Sequence, residues 1–119
     1  MKNIILILII LLPLGICAQK IIQVKSRKTD EVFEAYKTDK SFKDGTYTKY
    51  YKYTKRKNKK ITGYYSNNKK DSVWNYFNWQ GNLYKTGRFN NGQKNGDWKF
   101  YFSNTKTPRS IGKYQNGQK

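Results

Sequence analysis

Gly96-Asp97-Trp98-Lys99-Phe100-Tyr101 is the last of three related stretches, and their spacing decides the fold. Ser72-Val73-Trp74-Asn75-Tyr76-Phe77 lies 24 residues before it, and Gly45-Thr46-Tyr47-Thr48-Lys49-Tyr50 lies 27 residues before that. Each stretch is followed by a second marker: Gly63-Tyr64-Tyr65, Gly87-Arg88-Phe89 and Gly112-Lys113-Tyr114. A third marker closes each unit: Asn67-Asn68-Lys69-Lys70, Asn91-Gly92-Gln93-Lys94 and Asn116-Gly117-Gln118-Lys119. A near-fixed period of this size is the sequence signature of a repeat architecture. The units are 44–70, 71–94 and 95–119. Repeats of this kind build surfaces more readily than enclosed pockets.

Each unit reads as a hairpin. Residues 74–79 form a β-prone run, Gln80-Gly81-Asn82 a turn cluster and residues 83–89 a second run. Two such runs joined by a short glycine-containing loop make a β-hairpin. The third unit repeats this over 97–102 and 109–114, and the first over 46–54 and 61–66, with a longer basic tip. Side chains alternate across a strand. Trp98, Phe100 and Phe102 are therefore expected on one face, and Trp74 and Tyr76 together opposite Phe77 and Trp79. Rings on both faces imply a thin sheet. Residues 20–25 and 31–37 read as two further strands around a 26–30 turn. Region 19–43 is expected to cap one edge of the sheet, since an uncovered edge invites aggregation.

The apolar layer has to be made of rings. All 20 aromatic residues lie beyond residue 18, but only eight Ile, Leu or Val residues do. Aromatic side chains bury roughly 150–250 Å2 each and suit a pleated surface. Tyr47, Tyr50, Tyr65, Trp74, Phe77, Phe89, Trp98, Tyr101 and Tyr114 are the candidate core rings. Gly45, Gly63, Gly87, Gly96 and Gly112 are the candidate repeat glycines.

Residues 1–18 read as a secretory signal. Lys2 precedes an apolar run over 4–12, Pro13 and Gly15 break it, and Ile16-Cys17-Ala18 leads into Gln19. A positive start, a short apolar stretch and a small residue at the cut define such a signal. The run is shorter than the roughly 20 residues needed to cross a bilayer. Cleavage after Ala18 would release a periplasmic or secreted chain with no cysteine and no transmembrane segment. Cleavage before Cys17, in Leu14-Gly15-Ile16-Cys17, would instead leave a lipoprotein anchored at Cys17, although Ile16 is bulky for a lipobox.

Charge is the second strong feature. The chain holds 25 Lys and Arg against 7 Asp and Glu, a net of +18, and loss of Lys2 with the signal leaves +17. This is well beyond the net charge of about 2–8 of an ordinary small domain. It favours anionic surfaces and polymers. The densest cluster is Lys55, Arg56, Lys57, Lys59 and Lys60, placed in the long hairpin tip of the first unit. Smaller clusters are Lys25-Ser26-Arg27-Lys28 and Lys69-Lys70.

Catalytic equipment is thin. The chain has no histidine. Asp44 and Asp97 stand at repeat starts, where turn chemistry accounts for them. Asp30, Glu31 and Glu34 read as surface turn residues in preference to a cation site. The glycines are spaced as turn residues, with no nucleotide-binding pattern. No catalytic, metal or cofactor site is expected.

The sequence Gly-x-Trp-x-x-Tyr/Phe, Gly-x-Tyr/Phe, Asn-Gly-x-Lys over 44–119 resembles the bacterial variant of MORN repeats, often labelled the YwqK-type antitoxin family. The departures are Ser72 and Asn68 at glycine positions, Tyr47 at a Trp position, and the inserted Lys55–Lys60 run. The resemblance implies an open, twisted antiparallel sheet of successive hairpins and no enzyme activity. An exported binding or scaffold module follows, contacting a protein or an anionic envelope component such as a polymer or lipid headgroups. The alternatives are an antitoxin or immunity-type protein that binds a toxin, and a nucleic-acid or polysaccharide binder. The antitoxin label suits an exported chain poorly, because a cytoplasmic toxin lies out of reach. Interleaved rings and lysines suit single-stranded nucleic acid, but the rings follow the repeat phase and so read first as sheet core. Circular dichroism of the cleaved protein is expected to show a β spectrum, with helix well below the roughly 30% of an average globular domain.

Overall fold

The computed structural model describes residues 21–119 apart from 27, 37, 53, 55–57 and 104. Residues 1–18, read above as a secretory signal, with Cys17 and Ala18, and Lys55, Arg56 and Lys57 of the basic cluster thus lie outside the described residues. Eight strands form one sheet: β1 (Ile21–Ser26), β2 (Glu31–Tyr36), β3 (Lys43–Tyr50), β4 (Lys59–Ser66), β5 (Lys69–Phe77), β6 (Leu83–Asn90), β7 (Gln93–Tyr101) and β8 (Pro108–Tyr114). Their spatial order is their chain order, and every neighbouring pair is antiparallel. No helix occurs among the described residues. The chain is an all-β meander of successive hairpins, open at β1 and β8.

The third marker of each unit proves to be a hairpin tip. Asn67 and Asn68, Asn91 and Gly92, and Asn116 and Gly117 all have positive φ, from 48° to 84°. Two consecutive residues of this kind make the type I′ turn that matches the twist of paired strands. Each tip is tied to the unit before it. The amides of Asn68, Gly92 and Gly117 donate to the carbonyls of Lys43, Lys70 and Lys94 at 2.8, 2.8 and 2.9 Å. Lys69 and Lys70 thereby fall inside β5.

A bulge recurs in phase. The register shifts between Phe33 and Ala35, Thr62 and Tyr64, and Thr86 and Arg88, each opposite a residue with positive φ: Gly45, Ser72 or Gly96. Ser72 therefore replaces a glycine by residue type but keeps its backbone conformation, with φ of 59°.

The bulge brings the next aromatic residue back across the preceding strand. The Trp74 ring lies over Gly63 and the Trp98 ring over Gly87, so closely that a Cβ on either glycine would overlap the indole. Trp74 and Trp98 are 1% and 0% exposed, although no second layer covers them. Their indole N–H groups are also satisfied. Trp74 Nε1 donates to the carbonyls of Tyr64 and Asp71, and Trp98 Nε1 to that of Arg88.

The rings form one continuous ladder. Tyr47 meets Tyr65 and Trp74 at centroid distances of 5.3 Å, Trp74 meets Phe89 at 5.9 Å, Phe89 meets Trp98 at 5.0 Å, and Trp98 meets Tyr114 at 6.3 Å. Most of these contacts are edge-to-face, the arrangement that ring quadrupoles favour. The buried cluster is Phe33, Ala35, Tyr47, Trp74, Phe89 and Trp98, flanked by Val24, Ile61, Tyr65, Tyr76, Phe100 and Tyr114.

Several expectations need correction. Tyr50, Phe77 and Tyr101 are half-buried and lie outside this cluster. Each stands three positions after Tyr47, Trp74 or Trp98, so alternation does not bring it to the face of those rings, and a second set of register shifts falls beside them at Lys49/Tyr50, Tyr76/Phe77 and Phe100/Tyr101. Tyr76 and Phe100 pack on the cluster. β7 ends at Tyr101, and Phe102, expected in the strand on the face of Trp98, stands 58% exposed in the following loop. β3 ends at Tyr50 short of the 46–54 run, and β4 begins at Lys59, two residues before the 61–66 run. The β1–β2 hairpin pairs with β3 through β2.

Removing an indole from the ladder is expected to be costly. Trp74→Ala and Trp98→Ala should each lose about 3–5 kcal/mol, the range for a buried aromatic truncated in a core. Gly63→Ala and Gly87→Ala should each lose about 1–3 kcal/mol by overpacking against the ring. Equilibrium denaturation followed by tryptophan fluorescence measures all four.

Candidate binding surface

The two faces of the sheet differ. Alternation places Lys43, Tyr47, Ile61, Tyr65, Lys70, Trp74, Tyr76, Lys85, Phe89, Lys94, Trp98, Phe100 and Tyr114 on the ladder face. The opposite face carries Thr48, Thr62, Asn75, Thr86 and charged residues, with Tyr64, Val73 and Ile111 between 43% and 52% exposed. On that face Thr86 Oγ1 donates a hydrogen bond to Asn75 Oδ1 at 2.7 Å, linking β6 to β5. The rings thus concentrate on one face, and the rings of the other stand largely in solvent.

On the ladder face the lysines lie on the rings. Lys43 Nζ is 4.7, 4.9 and 5.2 Å from the ring centres of Phe33, Tyr47 and Tyr65. Lys70 Nζ is 4.7 and 5.1 Å from Trp74 and Phe89. Lys94 Nζ is 4.8 and 4.7 Å from Trp98 and Tyr114. Lys85 Nζ is 4.0 Å from Tyr76. These are cation–π distances. All four lysines are half-buried, whereas Lys69, Lys99 and Lys113 on the opposite face are exposed.

Counter-charge sits at one end only. Glu31 Oε2 is 3.7 Å from Lys43 Nζ, its Oε1 is 3.5 Å from Lys49 Nζ, and Oε1 accepts a 2.8 Å hydrogen bond from the Tyr47 hydroxyl. Burial works against ionisation of Glu31, but the Tyr47 hydrogen bond and the ammonium groups of Lys43 and Lys49 outweigh it and hold its pKa below the ordinary value. Burial, then the hydrogen bond to Glu31, pushes the Tyr47 phenol well up, and burial raises Tyr76 to about 12. Lys70 and Lys85 are pushed down. Burial is the main cause, followed for Lys70 by the charges of Lys85, Lys43 and Lys94, and for Lys85 by that of Lys94.

Of the basic cluster seen in the sequence, Lys59 and Lys60 open β4 and so belong to a strand. Lys59 is exposed and borders a hollow of about 280 Å3 with Asn58, Phe77, Gln80 and Gly81. Lys60 Nζ lies 5.3 Å from the Tyr51 ring. This margin is tied to the next unit: the Tyr51 hydroxyl donates to the Phe77 carbonyl at 2.8 Å, and Asn58 Nδ2 to the Trp79 carbonyl at 3.1 Å.

Among the described residues no group of three or more His, Cys, Asp or Glu is placed to hold a metal ion. None of their helices is long and apolar enough to cross a membrane. The arrangement offers charge, ring edges and area. In the sequence Lys70 stands out only as half of the Lys69-Lys70 pair and Lys94 only as the end of a turn marker, yet a signal for the row existed. Lys43, Lys70 and Lys94 each stand two residues before Gly45, Ser72 and Gly96, in phase with the repeat.

Compared with family profiles, curated proteins and solved structures, the chain matches none.

The Glu31 cluster sets an acid limit. A carboxylate whose folded pKa is depressed contributes stability above its unfolded pKa and loses it as pH falls through the folded value. Stability is expected to fall as pH drops below about 4.5, the ordinary carboxylate value. Glu31→Gln should flatten that part of the profile, as measured by melting temperature between neutral pH and pH 3.

Proposed function

We propose that this chain is an exported, non-enzymatic repeat module of the MORN-like kind, whose sheet is a binding surface for an anionic envelope or extracellular component. The observation that carries this reading is the row of half-buried lysines on the ring ladder, met by a carboxylate only at the Glu31 end. The net charge of +18 supports it, because a field of that size draws anions from a distance. The MORN-like assignment draws on the in-phase Gly-x-Trp and Asn-Gly markers and on the succession of hairpins. Export draws on the apolar leader that precedes Gln19. The absence of histidine and the single-layer architecture leave little with which to perform acid–base chemistry away from water.

A second reading, docking of a protein, draws on the exposed apolar residues Tyr64, Val73 and Ile111 of the opposite face. Salt separates the two. Binding through anionic groups weakens steeply as salt rises, and an apolar protein contact does not. The cleaved domain is expected to be retained on dextran sulfate, DNA or anionic vesicles at low salt and released as salt increases. Replacing Lys55, Arg56, Lys57, Lys59 and Lys60 together by Gln should bring release to lower salt. Retention on none of these materials, or retention indifferent to salt, would turn the reading to the protein-docking face.

A further inference from the structure

Lysines ordinarily keep their ammonium groups in water and lay only their stems on apolar surface. Lys70, Lys85 and Lys94 instead bring the charged ends onto rings, at 4.0–5.1 Å from the ring centres. Attraction to the ring face accounts for each lysine alone. It does not account for gathering three of them without an acid. Among the described residues the ion pairs are those of Lys43 and Lys49 with Glu31, and neither reaches this group. The three charges also feel one another: Lys85 and Lys94 both push Lys70 down, and Lys94 pushes Lys85 down. Like charges held together in a half-buried place are relieved when an anion enters among them.

The spacing describes the anion. Lys43, Lys70 and Lys94 occupy one phase of β3, β5 and β7, so they recur on every second strand. Two strand separations are about 10 Å. Lys85, on β6, faces Tyr76 and Phe100, four residues along the strand from the level of Lys94, and so flanks the row. A ligand that follows the row is a thread running across the strands, with negative charges at intervals of that order and Lys85 beside it. A linear polysaccharide with one carboxylate or sulfate per disaccharide has such a layout. Duplex nucleic acid spaces its phosphates about 3.4 Å apart along each strand, several times more densely. Single-stranded nucleic acid needs open ring faces for stacking, and Trp74 and Trp98 are 1% and 0% exposed. A flat bilayer suits the geometry poorly as well, because Lys70, Lys85 and Lys94 are half-buried with their ammonium groups laid on the rings.

We infer that Lys70, Lys85 and Lys94, set on the ring ladder of β5 to β7, form a groove for a linear acidic polysaccharide lying across the strands. This rests on the anion-binding reading above and names its ligand class and its place on the fold.

The test compares two triple variants that remove equal charge: Lys70→Gln, Lys85→Gln, Lys94→Gln on the ladder face, and Lys69→Gln, Lys99→Gln, Lys113→Gln on the opposite face. The probe is hyaluronate, which carries one carboxylate per disaccharide, beside single-stranded DNA and vesicles of anionic phospholipid. The ladder variant is expected to lose about a hundredfold in hyaluronate affinity at low salt, as three charge contacts imply. The opposite-face variant should lose severalfold at most. In the unaltered protein, hyaluronate should shift the indole N–H resonances of Trp74 and Trp98 in the NMR spectrum, a readout that does not depend on whether the ladder variant folds. Equal losses in the two variants, unmoved indole signals at saturation, or tighter binding of DNA or vesicles than of hyaluronate would overturn the inference and leave the broader anion-binding reading standing. Failure of every polyanion to bind would overturn both.

Discussion

An indole lying on the bare backbone of the strand behind it is the contact on which this sheet depends. A single sheet has no opposing layer against which to bury an apolar face. Here each large ring is buried by lying flat across its own sheet, which requires a strand neighbour without a side chain. Gly63 and Gly87 supply that absence under Trp74 and Trp98. The positive-φ bulges at Ser72 and Gly96 turn the strand so that the ring reaches its place. The indole N–H then finds a backbone carbonyl, and a lysine closes the outer surface of the ring.

The first unit shows the same rule under a different choice of residues. Where later units place a glycine, β2 places Phe33, and where they place Tyr65 or Phe89, it places Ala35. Phe33 pairs with Tyr47 and Ala35 with Lys43. Large and small have changed places. A tryptophan at position 47 would meet a ring and not a gap, and the smaller phenol stands there instead, its hydroxyl bound to Glu31. The departure at Tyr47 is thus a consequence of the cap. At the other end, the Tyr114 ring itself lies against Gly112.

Much of this was legible in the sequence. Period, hairpins, turn residues and the ring-built core follow from Trp74, Trp98 and the Asn-Gly pairs, because local backbone preference and packing agree at those positions. The identity of the rings facing the core was not fully legible. Strict alternation from Trp98 predicts Phe102 inside, and motif spacing selects Tyr50, Phe77 and Tyr101, which alternation leaves off that face. Bulges fall at the strand ends, and a bulge is set by cross-strand register, which no local pattern encodes. The charge was legible as a total but not as a surface. Lys69 and Lys70 are neighbours in the chain, yet one faces solvent and the other lies on Trp74. Lys55–Lys57 stand out by density alone, whereas Lys43, Lys70 and Lys94 are marked only by phase.

The two long margins of the sheet obey different rules. Along one, the tips at Asn67, Asn91 and Asn116 repeat the same backbone geometry and the same bond to the preceding unit. Along the other, the connections after β3, β5 and β7 are eight, five and six residues long; each opens with a turn in which the amide of Thr54, Gly81 or Thr105 donates to the carbonyl of Tyr51, Asn78 or Phe102, and they differ beyond it in length. The first margin acts as a hinge-pin that keeps the units in step, and a partial insertion there would put every later ring out of phase. The second is free of that timekeeping. New sequence can enter it without disturbing the ladder, so it is the side on which this scaffold can acquire specificity, by evolution or by grafting.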